Sequence, residues 1–117
     1  MIDIRYTQHD NHITSLEISG HAGFAESGKD LVCAAVSGIT FGLLNALDEL
    51  TDIKKMTVGY NLIQVKVDTP TAESDLLLSA GIIQLKTVQQ QNQRFIKIKK
   101  VYFCYNPSLF NKITCYN

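Results

Sequence analysis

Apolar Ile2, Ile4 and Tyr6 alternate with polar Asp3, Arg5 and Thr7 at the start of the chain. A period of two is that of a strand with one face buried. After Gln8-His9-Asp10-Asn11, the segment His12 to Ser19 returns Leu16 and Ile18 to one face, so the first nineteen residues read as a β-hairpin. A glycine-containing, weakly apolar loop follows from Gly20 to Lys29, and the pattern then changes. Val32, Ala35, Val36, Ile39, Phe41, Leu43, Leu44 and Leu47 leave almost no polar side to a helix from Leu31 to about Leu50, which predicts cover on more than one face. Asp30 stands where a carboxylate caps a helix start. Asp48 and Glu49 oppose the dipole at the other end, so packing is expected to hold it.

Met56 to Val58 and Leu62 to Val67 flank Gly59-Tyr60-Asn61 and predict a second hairpin. Asp68-Thr69-Pro70 announces a second helix, with Thr69 as its cap, Pro70 in the first turn and Leu78, Ile82 and Leu85 on its apolar face. Phe95 to Lys100 alternates as a last strand. The expected fold is α+β, a single domain in the order ββαββαβ, with a largely antiparallel sheet packed on two helices and the first helix central. Val101 to Asn117 shows neither period, so residues 1–100 are read as the domain and 101–117 as a tail of unassigned structure.

Composition narrows the function. Eleven Lys and Arg balance eleven Asp and Glu, so the formal charge is zero and no direct nucleic-acid partner is expected. A charged fraction of 19% is low and agrees with surface hidden in an oligomer. Cys33, Cys104 and Cys115 show no paired spacing for a disulfide framework or a zinc site. The alternating start is unlike a signal peptide, and the apolar stretch Leu31 to Leu47 is short of the ~20 residues of a spanning helix. A cytoplasmic protein with no membrane partner, metal or cofactor is the expectation.

Cys33 falls near the start of the first predicted helix, where converging N–H groups and the dipole favour a thiolate, the nucleophilic form. A cysteine there can equally pack as a small hydrophobe. His21, twelve residues earlier, can take the thiol's proton and hold the thiolate as imidazolium, and helix N–H groups can stabilise an oxyanion, each such donor contributing about 3 kcal/mol in acyl-transfer enzymes. Asp30 either orients His21 or only caps the helix. Ser37, one turn beyond Cys33, either bonds the thiol or His21, or bonds back to the Cys33 carbonyl. His9 and His12 read as solvated turn residues. Lys86, Arg94, Lys97, Lys99 and Lys100 form a stretch without an intervening acid, suited either to an anionic or ribosomal surface or to a protected edge strand.

Gly20-His21-Ala22, Gly28, Asp30 and the block Val32-Cys33-Ala34-Ala35-Val36-Ser37 together resemble the ribosomal-processing cysteine protease family, Prp, over about residues 1–100. The resemblance implies an endopeptidase that removes the N-terminal extension of the large-subunit ribosomal protein numbered twenty-seven, cutting after an aromatic residue. It implies Cys33 as nucleophile, His21 as base, Asp30 and Ser37 in support, and a homodimer. It also implies a substrate loop containing Ala22, Gly23, Phe24 and Gly28, with Gly23 and Gly28 as hinges. An apolar pocket lined by Phe24 or Phe41 would accept the aromatic side chain. Family members generally end near the last alternating strand, whereas this chain continues to Asn117. A noncatalytic ribosome-assembly factor and a redox-responsive thiol domain are the alternatives.

Overall fold

The structure is a computed structural model that describes residues 1–20, 29–106 and 111–116. Its elements are β1 (Ile2–His9), β2 (His12–Ser19), α1 (Lys29–Leu50), β3 (Met56–Val58), β4 (Leu62–Lys66), α2 (Ala72–Gln90), β5 (Ile96–Asn106) and β6 (Asn111–Tyr116). The order ββαββαβ is therefore present, followed by one more strand. The strands form a single sheet in the order β3-β4-β2-β1-β5-β6, with every neighbouring pair antiparallel except β1 with β5.

This topology contains two crossovers between parallel strands, β2-α1-β3 and β4-α2-β5, which run across the sheet in opposite directions from oppositely directed strands. Right-handed connection in both places the two helices on the same face. One face of the sheet is accordingly buried. Ile2, Ile4 and Tyr6 of β1, Ile13, Leu16 and Ile18 of β2, Ile63 and Val65 of β4 and Ile96 of β5 form the core with Val32, Val36, Leu43, Leu44 and Leu47 of α1 and Leu78, Ile82 and Leu85 of α2. The other face carries Asp3, Arg5, Glu17, Gln64, Lys97 and Lys99.

The hairpin turn is tighter than the polar string suggested. Only Asp10 and Asn11 form the turn, both with positive φ (51° and 64°), the two-residue geometry whose twist suits antiparallel strands. A register shift between Thr7 and Gln8 adds a residue to β2 and brings Ile13 onto the buried face beside Leu16, although the two are three positions apart.

Both helix starts differ from expectation. Helix α1 begins at Lys29, so Asp30 is its second residue and not its cap; carboxylates are favoured anywhere in a first turn, so residue type alone did not fix the boundary. The cap of α2 is Thr71 and not Thr69. Thr71 Oγ1 accepts from Ser74 N–H at 3.1 Å and Ser74 Oγ accepts from Thr71 N–H at 2.9 Å, a reciprocal box that a lone Thr-Pro pair does not provide. Thr71→Ala is expected to cost about 1 kcal/mol and lower the thermal midpoint by roughly 4 °C, measured by circular dichroism.

The C-terminal end of α1 is held by more than packing. Lys54 Nζ donates to the Asp48 carbonyl at 2.7 Å and to its carboxylate at 2.9 Å, so the acid that would oppose the dipole is neutralised in place. Thr51 Oγ1 also donates to the Leu47 carbonyl. Helix α1 packs against the core and α2 but leaves Leu31 (78% exposed) and Phe41 (44%) open, so part of the cover expected for it is not supplied within one chain. Continuation through Leu50 gives it 20 residues at a mean hydropathy of 1.6, enough by length and composition to cross a membrane, which corrects the shorter estimate. Core helices meet the same criterion, and Val36 and Leu47 of α1 are fully buried among the strands.

The last strand runs past Lys100 to Asn106. Residues 96–102 pair with β1, and residues 101–106 pair with β6. Val101 to Asn117 gave no strand signal because β6, a sequence-near partner, supplies the ladder in place of an alternating pattern.

Candidate active site

The chain leaves β2 at Gly20 and enters α1 at Lys29. Gly20 has φ +81°, and a Cβ on it would collide with the backbone carbonyl of Met1. Only glycine fits both requirements. The Gly-His-Ala string thus opens on a residue whose role is conformational, legible beforehand only as part of a motif. His21, Ala22, Gly23, Phe24 and Gly28 lie outside the described residues.

Cys33 is the fifth residue of α1 and not the third after a cap, because the helix starts two residues earlier than expected. The backbone N–H groups of the opening turn that have no partner within the helix belong to Lys29, Asp30 and Leu31. Helical side chains tilt toward the N-terminus, which carries the Cys33 sulfur back over that turn. The thiol is free and half-buried, packed on one side against the core. Two competing readings, core filler and nucleophile, thus meet in a group with one face supported and one accessible.

Ser37 is half-buried one turn along, and among the described residues its hydroxyl makes no hydrogen bond, so the bond back to the Cys33 carbonyl is not formed. The side chain that does fold back on α1 is Thr40, which donates to the Val36 carbonyl at 2.7 Å. Phe41 stands two turns beyond Cys33, about 12 Å along the axis, and opens to solvent, which removes it from the lining of a pocket beside the sulfur. A cleft of about 730 Å³ lies at the opposite end of α1, between Leu50, Asp52, Lys55, Lys66, Thr69 and Ser74. It is roughly 25 Å from Cys33 by helix rise and has no part in thiol chemistry.

Both histidines expected as solvated turn residues have acidic neighbours, and His9 Nε2 lies 3.3 Å from Asp10 Oδ2. His12 Nδ1 lies 2.7 Å from Asp75 Oδ2, and Ile13 N–H donates to Asp75 Oδ1 at 3.1 Å, so one carboxylate in the first turn of α2 clasps the hairpin. A spacing of 63 residues hid that pairing from the sequence.

The model of the family described as cysteine protease Prp matches residues 1–97. The ribosomal processing cysteine protease Prp of Mycoplasma pneumoniae is 40% identical over 89 residues, which is 72% of this chain and 84% of that protein. A crystal structure of the essential ribosomal processing protease Prp from S. aureus with a substrate peptide superposes with a TM-score of 0.78 at 28% identity, covering 86% of this chain and 99% of that one. A second structure of that protease, with a covalently linked product peptide, gives a TM-score of 0.76 at 28% identity and the same coverage of each chain. The class follows from these matches: the chain is an α+β cysteine peptidase. The chain belongs to the ribosomal-processing cysteine protease family Prp, which sets aside the noncatalytic and redox-sensor readings.

Proposed function

We propose that this enzyme is an endopeptidase that removes the N-terminal extension of the large-subunit ribosomal protein numbered twenty-seven, cutting after an aromatic residue, with Cys33 as nucleophile and His21 as its acid and base. The observation that carries the reading is the half-buried free thiol of Cys33 beside the opening turn of α1. The similar S. aureus protein with a covalently linked product peptide supports a covalent route.

In the first step the Cys33 thiolate attacks the scissile carbonyl carbon, a C–S bond forms, and the carbonyl oxygen takes the negative charge. N–H groups of Lys29 to Leu31 are the donors nearest in sequence for that oxyanion. The His21 imidazolium gives its proton to the departing amine as the C–N bond breaks. Water then loses a proton to His21 and attacks the thioester, releasing the carboxylic acid product and regenerating the thiolate. Asp30, in the same turn, and Ser37, whose hydroxyl makes no hydrogen bond among the described residues, support the site. Ala22, Gly23, Phe24 and Gly28 form the loop that receives the peptide. The cycle uses neither metal nor cofactor.

The enzyme works in the cytoplasm as a homodimer. Leu31 and Phe41, exposed on α1, support an association that covers this helix in a second copy. The test is cleavage of the ribosomal precursor by the intact enzyme, read by mass spectrometry of the released peptide, beside a precursor whose scissile aromatic is replaced by Gly. Cleavage at the aromatic and none of the Gly variant is expected; equal cutting of both would refute the specificity.

A further inference from the structure

The zero net charge conceals a separation of charge. Residues 1–75 contain all eleven acidic residues and five basic ones, whereas residues 76–117 contain six basic residues and no acid, giving formal charges of −6 and +6. The topology turns this difference along the chain into one across the molecule, because β5 and β6 form one side of the sheet and the acids Asp48, Glu49, Asp52 and Asp68 surround β3 and β4 at the other.

The two sides also treat their cations differently. Near β3, Lys54 pairs with Asp48 and Lys55 with Asp68. Near β5, Lys86, Arg94 and Lys100 stand over aromatic rings, 5.6 Å from the centre of Tyr6, 5.4 Å from Phe95 and 4.7 Å from Tyr102. An aromatic ring holds a cation without neutralising it. Hydrogen bonding to Tyr102 raises the Lys100 pKa further above its ordinary value, so this ammonium stays charged. Lys97 and Lys99, two residues apart, project from the open face of the same strand, opposite Asp3 and Arg5 of β1 respectively, while Lys86 comes from α2 and Arg94 from the turn before β5.

Protection of an edge accounts for part of this pattern. Residues 96–100 have β1 on one side and no described strand on the other, and lysines discourage pairing at such an edge. That function is local to the strand. It does not require Lys86 on a helix, Arg94 in a turn, or the absence of every acid over forty-two residues.

We propose that the β5 side of this enzyme, comprising Lys86, Arg94, Lys97, Lys99 and Lys100, binds the phosphate backbone of single-stranded RNA. Lys97, Lys99 and Lys100 lie on β5, with Lys86 on α2 and Arg94 in the turn before it, so a polyanion that follows this edge meets several cations, and the acidic opposite side orients the molecule in its field. In a family that processes a ribosomal protein, the polyanion surrounding the substrate is RNA. The proposal rests on the family assignment and on charge, and is independent of the thiol chemistry.

The test is fluorescence anisotropy of a labelled, unstructured 20-nucleotide RNA with the full chain across a salt series. Four phosphate contacts give a log-affinity against log-salt slope of about −3. Lys97→Gln with Lys99→Gln is expected to weaken binding at least tenfold and to reduce the slope by about 1.4, and Lys86→Gln with Arg94→Gln to do likewise. Lys54→Gln with Lys55→Gln, at the other side, leaves both unchanged. Absence of saturable RNA binding at low salt, equal loss from the two sides, or binding to anionic phospholipid vesicles in place of RNA would overturn the proposal. Turnover of a short peptide, read in the same samples, scores the protease reading separately.

Discussion

Cys33→Ala is expected to reduce peptide cleavage by at least about 10,000-fold while leaving the fold intact, because loss of a covalent nucleophile removes the reaction path itself and not merely one of its stabilising contacts. The site is tolerant of the change: Cys33 is half-buried at the rim of the core, and alanine is the best helix former. A circular dichroism spectrum and thermal midpoint close to those of the parent, together with no released peptide, are the expected pair of results. Alkylation of the parent with iodoacetamide at neutral pH should label Cys33 and silence the enzyme in proportion. Turnover by the alanine variant at the parent rate would remove the thiol from the mechanism.

Gly20→Ala is expected to destabilise the protein by about 3 kcal/mol, lowering the thermal midpoint by 10 °C or more. Two costs combine. A left-handed backbone at φ +81° is strained for any residue with a Cβ, and that Cβ would collide with the Met1 carbonyl. Met1 cannot withdraw freely, since Ile2 N–H donates to the Phe95 carbonyl at 2.7 Å and Ile2 pairs with Ile96 in the parallel ladder. The strain falls one residue before His21, so cleavage is also expected to drop at least tenfold at temperatures where the variant remains folded. An unaltered melting curve would show that the glycine is replaceable.

Local pattern carried the elements a long way. The period of two through Ile2, Ile4 and Tyr6 and the apolar face of Leu78, Ile82 and Leu85 appear in the structure as β1 and α2, because alternation and helical spacing are consequences of burying one side of each element. Helix starts were less legible. Asp30 and Thr69 are residue types that favour several positions near a start, and the choice of Thr71 depends on the buried hydroxyl of Ser74 closing the box. The site was legible as a string of residues, Gly20-His21-Ala22 and Val32-Cys33-Ala34, since a family motif is itself linear. The conformational demand on Gly20 was not, because it comes from Met1, across the sheet's first pair of strands.

The sequence by itself determined the strand and helix order through β5, the apolar core and the family to which the chain belongs. Tertiary structure alone decided the parallel partnership of β1 with β5, the clasp of Asp75 on His12 and the gathering of one sign of charge along one side of the sheet. The division has a physical cause. Periodicity records which side of an element meets the core, whereas contacts between residues far apart in the chain depend on how crossovers and strand order bring those elements together.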